Sequence, residues 1–196
     1  MAHTLSIIGL SGTNGSGKDT VGQLLQDKHG YFFISVTDLL RAELRRRNLP
    51  IERSNLRELS AEWRREKGLG VLVDQALEAY AEQQERYAGV VISSLRNPYE
   101  ADRIHELGGS VIWVDADSRI RYDRISKAQR AGRENEDGKS YEQFLAEEEA
   151  EMHASGDAAT LDMASVKARA DLTILNESAN LSLLEQTLGQ TLSQAS

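Results

Sequence analysis

A short run near the N-terminus has the residue types and spacing that cradle a chain of phosphates: Gly12-Thr13-Asn14-Gly15-Ser16-Gly17-Lys18-Asp19-Thr20. Its glycines follow the P-loop pattern of Gly, four residues, then Gly-Lys. Phosphate oxygens need many donors at short range, and backbone N–H groups reach them only where side chains leave room. Gly12, Gly15 and Gly17 meet that need, with Asn14 and Ser16 in the same cradle. Lys18 adds a point charge toward the β- and γ-phosphates. The pattern departs from the usual one at Asp19, where a Ser or Thr commonly stands, and a hydroxyl follows one place later at Thr20. An acid there either only complements the positive end of a helix or holds Mg²⁺ directly or through water in place of the hydroxyl. ATP and Mg²⁺ are the expected ligands.

Such a loop works only between a strand and a helix, and both are legible. The apolar run Leu5 to Leu10 precedes it. After it, Val21, Leu24 and Leu25 recur at helical spacing up to Gly30, a suitable helix-ending residue. The loop therefore opens a helix whose N-terminal dipole also favours phosphate. Further short apolar runs, Tyr31 to Ser35, Val90 to Ser93, Val111 to Val114 and Leu172 to Leu175, predict strands buried on both faces. Helical patterns lie between them: Val71, Val73, Ala76, Leu77 and Tyr80; Tyr99, Ile104 and Leu107 before Gly108-Gly109; and a terminal stripe of Leu181, Leu184, Leu188 and Leu192. Alternating strands and helices predict an α/β, three-layer α/β/α fold around a parallel five-stranded sheet.

Two segments stand outside the alternation. Residues of about 36–67 are helical and rich in arginine, and residues of about 124–160 combine a polar Gly-containing stretch with an acidic helix around Tyr141 to Met152. Both predict helical inserts over the C-terminal edge of the sheet, where α/β proteins bind ligands. The 196 residues suit one domain, 1–196, with a single core.

The formal charge of −8 argues against a nucleic-acid polymer as partner, because phosphate-tracking proteins carry a basic surface. Yet the arginines come in islands, with Arg41, Arg45, Arg46 and Arg47, then Arg53, Arg57, Arg64 and Arg65, then Arg96, then Arg119 to Arg133. That is the pattern of a binder of small anions, and exposed helix faces account for many of the same charges. Cysteine is absent, and neither an export signal nor a membrane-spanning run is present, so a cytoplasmic protein without membrane association is expected.

The loop together with Ile34-Ser35-Val36-Thr37-Asp38-Leu39-Leu40-Arg41 resembles the nucleoside monophosphate kinases, and its Gly-Lys-Asp-Thr resembles the phage-type deoxynucleoside monophosphate kinases. The likeness follows the order of parts over most of the chain and is specific in these motifs. It implies a P-loop kinase fold in which 36–67 binds the acceptor and about 124–160 forms a lid. By position Arg41 matches the arginine that grips the acceptor's phosphate, with Asp38 and Arg57 beside it, while Val36 replaces a family Thr. The end of the third strand, Ser93-Ser94-Leu95-Arg96-Asn97-Pro98, is similar to a segment of related kinases, including a set resembling dephospho-CoA kinase. There Arg96 matches a second acceptor arginine, and Ser93 replaces the carboxylate that orders Mg²⁺. In Asp123-Arg124-Ile125, Arg124 matches the lid arginine over ATP. The next lid arginine falls at Ala128, with Lys127 and Arg130 nearby; Arg130 or Arg133 would reach the transferred phosphate, and Arg130 joins Lys18, Arg41, Arg96 and Arg124 as a candidate catalytic residue. Asn176, after the fifth strand, matches the region of adenine contacts.

The resemblance implies an ATP-dependent phosphotransferase acting on a small phosphorylated acceptor, a nucleoside or deoxynucleoside monophosphate. Two alternatives stay open. One is a dephospho-CoA kinase-like enzyme with Asp38 as base, and the other is a nucleotide-binding regulatory protein with little transferase activity.

Overall fold

The computed structural model describes residues 7–127, 140–153, 156–178 and 180–194. Five strands form one sheet in the order β2-β3-β1-β4-β5. They are β1 (Ile7–Ser11), β2 (Tyr31–Ser35), β3 (Gly89–Leu95), β4 (Ser110–Asp115) and β5 (Leu172–Leu175). Every pairing is parallel. Each connection therefore needs a crossover, and helices supply it.

The three central strands β1, β3 and β4 are buried on both faces, which explains why they are continuous apolar runs rather than alternating ones. β5, expected to be buried likewise, is an edge strand with Thr173 and Leu175 exposed, because no further strand pairs beyond it. On β3 and β4, Val90, Ile92, Val111 and Trp113 join one core. Their neighbours Val91, Ile112 and Val114 join the other. The second core is closed by α1 (Lys18–His29), through Val21 and Leu25, and by α9 (Leu181–Gln194), through Leu184 and Leu188. The first is closed by α2 (Val36–Arg46), α3 (Arg53–Lys67), α4 (Val71–Ala81), α5 (Pro98–Glu106) and α8 (Met163–Ala168). Emptying either layer is costly: a truncation such as Ile92→Ala at a fully buried site loses about 2–5 kcal/mol.

All five expected strands are present within a residue or two of their predicted bounds, except that the stretch before Ile7 lies outside the described residues. The region of 36–67 is two helices, α2 and α3, with Leu49-Pro50 between them. Within 124–160 the described elements are the end of α6 (Ser118–Lys127) and α7 (Tyr141–Met152). The short α8 carries no strong periodic signal, and its Met163 and Val166 are recruited by tertiary burial. Among the described residues no helix is long and apolar enough to cross a membrane.

Candidate active site

The loop between β1 and α1 has the geometry its sequence requires. Gly12, Gly15 and Gly17 have φ of 147°, 79° and 91°, a region L side chains rarely adopt. A Cβ at Gly15 would also lie 2.6 Å from the Arg121 carbonyl oxygen. Gly17 is the N-cap of α1, so the helix opens at Lys18 with its first N–H groups facing the loop. Two side-chain hydroxyls in the loop, Thr13 Oγ1 and Ser16 Oγ, are buried without a hydrogen-bond partner among the described residues. Buried donors of this kind are rare in a finished interior, and phosphate oxygens would satisfy them. The cradle thus fits a nucleotide polyphosphate.

The far side of the loop is braced by two predicted nucleotide contacts. Asn176 is buried, and its side-chain amide donates to the Ser16 carbonyl at 2.8 Å. Arg124 donates to the carbonyls of Asn176 (2.8 Å), Ser178 (3.2 Å) and Gly15 (3.4 Å). Burial lowers the pKa of its guanidinium. Both residues hold backbone in this structure, and neither lines the main cleft. Arg130 and Arg133 lie outside the described residues.

Asp19 and Ser93 meet. The Ser93 hydroxyl donates to Asp19 Oδ1 at 2.9 Å, so the acid of α1 and the end of β3 are joined across the sheet edge. Asp19 remains exposed on its other side. Mg²⁺ at such sites keeps most of its waters and takes one or two protein oxygens besides the phosphates. One carboxylate oriented by a serine suits that need, and among the described residues no cluster of three or more His, Cys, Asp or Glu offers an alternative cage.

From the loop an open cleft extends over the ends of β2 and β3. Its wall brings together Lys18, Asp19, Arg41, Arg53, Arg57 and Arg96, contributed by four separate stretches of the chain. Local structure fixes several of these. Arg96 follows a β-bulge: Leu10 pairs with Ser93 and Ser11 with Leu95, leaving Ser94 extra, at φ 72°. Bulges bend a strand and re-aim the residues beyond the bend. The next turn is locked by a capping box between Asn97 and Glu100, with Pro98 in the first turn. Glu100 Oε2 accepts from the Arg96 N–H at 2.8 Å, while Oε1 accepts from Arg64 Nη2 at 2.6 Å. The Arg64–Glu100 pair is almost wholly buried and ties α3 to α5. Arg64 is structural for that reason, although it borders the cleft.

Arg41 projects from α2 and pairs with Asp38 Oδ1 at 2.7 Å. Asp38 is exposed and does not line the cleft.

The sequence did not single out Arg53 or Glu151. Glu151, in the last turn of α7, is only 8 % exposed. Its Oε2 accepts from Arg96 at 2.6 Å and its Oε1 from Arg57 at 2.6 Å, with Arg53 3.7 Å away. Burial alone would push its carboxyl upward; the charges of Arg96 and Arg53 and the hydrogen bond from Arg57 overcome this and hold it at about 2. A signal for the pairing was present: Arg53 and Arg57 are four apart on one helix, as are Glu147 and Glu151 on another. Residues so spaced share a face, and the structure pairs Arg53 with Glu147 and Arg57 with Glu151.

The chain resembles several known proteins over nearly its whole length. A UPF0200 protein from Pyrobaculum aerophilum is 28% identical over 190 residues, covering 96% of this chain and 97% of its own. Among solved structures, a shikimate kinase from Bacteroides thetaiotaomicron matches with a TM-score of 0.63 at 16% identity, covering 97% of this chain and 98% of that one. A gluconokinase from Sinorhizobium meliloti matches at 0.50 and 17% identity, covering 98% and 94%. The fold is therefore the α/β P-loop kinase fold. The family model described as AAA domain (AAA_18) matches residues 8–151, well over half of the chain, and the protein belongs to that family.

Proposed function

We propose that the protein is an ATP-dependent phosphotransferase that moves the γ-phosphate to a small phosphorylated acceptor, a nucleoside or deoxynucleoside monophosphate. The observation that carries this reading is the convergence of Arg41, Arg57 and Arg96 on a cleft continuous with the P-loop. Guanidinium groups bind phosphate oxygens in pairs, and several around one space suit a dianion better than a neutral sugar.

Phosphoryl transfer requires little covalent chemistry from the protein. Lys18 and the loop amides would hold the donor's phosphates, and Arg41 and Arg96 would hold the acceptor so that its nucleophilic oxygen lies in line. Asp19, oriented by Ser93, would hold Mg²⁺, which when bound neutralises charge on the transferred group. An acceptor that is already a phosphate needs no strong general base. The exposure of Asp38 and its pairing with Arg41 give no support to a hydroxyl acceptor activated by that carboxylate.

The test is acceptor-stimulated ADP release against a panel of nucleoside and deoxynucleoside monophosphates, with dephospho-CoA, shikimate and gluconate as competitors and Lys18→Ala as control. Stimulation by a monophosphate supports the proposal. Stimulation only by a hydroxyl acceptor, or nucleotide binding without stimulation by any, overturns it.

A further inference from the structure

The arginines of the cleft already hold an anion, and it belongs to the chain. Glu151 gives one carboxylate oxygen to Arg96 and the other to Arg57, both at 2.6 Å, with Arg53 at 3.7 Å on the Arg57 side. Three cations from two elements thus surround one buried monoanion on the wall that also carries Lys18 and Asp19. This is the coordination a bound phosphate would receive, with one charge fewer.

The helix that delivers Glu151 packs its apolar side chains at two places, Phe144 with its ring neighbours and Met152 on the first core, and is otherwise exposed or ion-paired. Of the twelve residues of α7 only Phe144 and Glu151 are buried. Phe144 sits by Tyr122 and Tyr141, the partly buried Met152 packs against the first core, and ion pairs hold the exposed side: Glu147 with Arg53, and Glu148 with Arg121. Elements with few buried apolar contacts open at low cost. Electrostatics also favours exchange. Removing one partner from a buried pair leaves uncompensated charge, and an incoming dianion compensates three guanidiniums better than a carboxylate does.

We propose that Glu151 is a specificity-determining residue, an internal carboxylate that occupies the acceptor's anion position and admits only ligands able to displace it from Arg57 and Arg96. This rests on the acceptor site proposed above. The consequence is selection by charge: a phosphate competes with Glu151, whereas a monocarboxylate or neutral sugar gains too little to replace it. Glu151 would also suppress idle occupancy of the cleft by weakly held anions.

The test measures binding of inorganic phosphate and of AMP by calorimetry, on the full chain with its donor site saturated by ADP. In Glu151→Gln, both are expected to bind tighter by about ten- to a hundredfold, as one or two charge-assisted contacts are released to the ligand. ADP affinity should not change, and Arg96→Ala in the Glu151→Gln background should abolish the gain. A residue that only anchors α7 would give weaker or unchanged phosphate binding on removal. That outcome in a folded Glu151→Gln protein overturns the proposal, as does a gain that survives Arg96→Ala. If Glu151→Gln does not fold, Glu151→Asp takes its place: the shorter carboxylate should still raise phosphate affinity, and no increase overturns the proposal. Tighter phosphate binding without turnover of any monophosphate defeats the acceptor assignment alone. Turnover without tighter binding defeats this inference alone.

Discussion

The Ser93 hydroxyl donates to the Asp19 carboxylate at 2.9 Å, joining two of the positions at which this chain departs from the kinase pattern it resembles. Asp19 lies in the first turn of α1, and Ser93 stands near the end of β3, where the resemblance to kinases leads one to expect a carboxylate. The two positions are neighbours in space, and the serine hydroxyl orients the carboxylate.

That relationship predicts a graded effect on metal dependence. Ser93→Ala should raise the Mg²⁺ concentration needed for half-maximal nucleotide turnover by about tenfold, as loss of an orienting partner commonly does, and Asp19→Asn should raise it further. Magnesium titrations at fixed ATP measure both. Identical curves for Asp19→Asn and the parent protein would remove Asp19 from the metal site.

Arg41 lines the cleft with its guanidinium largely covered. Arg41→Ala should raise the KM of the acceptor far more than that of ATP, by the equivalent of about 1.5–3 kcal/mol for a lost charge-assisted contact. Steady-state kinetics with each substrate varied in turn decides it, and equal effects on both would contradict the assignment.

Arg124 and Asn176 hold the loop's carbonyls in this structure. Asn176→Ala should therefore lower the melting temperature, by the equivalent of about 1–3 kcal/mol for an orphaned buried acceptor, and weaken ADP binding in parallel. Arg124→Ala should do the same. A variant with lower turnover but unchanged melting temperature and ADP affinity would show that Arg124 acts on the reacting phosphates alone.

Arg64 and Glu100 form an ion pair almost wholly withdrawn from water. Arg64→Ala should cost about 3–5 kcal/mol in denaturant unfolding, since it strands a charge in the interior. Replacing both partners by apolar residues should cost less.

Acid should loosen the cleft. The Glu151 carboxyl is held at about 2 against an ordinary 4.5, a depressed folded-state value. Its contribution to stability is complete above about pH 4.5 and is lost as pH falls toward 2, on the order of 3 kcal/mol. Glu151→Gln should flatten the stability profile over that window, measured by denaturant unfolding at stepped pH.

Much of this architecture was written locally in the chain. The glycine spacing of 12–17, the helix beginning at Lys18 and the five apolar runs identify themselves because turn geometry and burial, two-sided in the three central strands, impose their own residue types. Those signals predicted a parallel α/β fold and a phosphate cradle. The arrangement of the arginines was not local. Arg41, Arg57 and Arg96 were legible as candidates, but their convergence depends on the bulge at Ser94, the lock at Glu100 and the buried Arg64–Glu100 pair that ties α3 to α5. The roles of Asn176 and Arg124 as braces, the pairing of Ser93 with Asp19, and above all Glu151 seated among guanidiniums join residues from 52 to 160 positions apart. The four-residue spacings of Arg53 with Arg57 and of Glu147 with Glu151 mark two complementary helix faces, but spacing does not say that the two faces meet. Only the packed structure brings those groups close enough, and away from water, for their mutual attraction to matter.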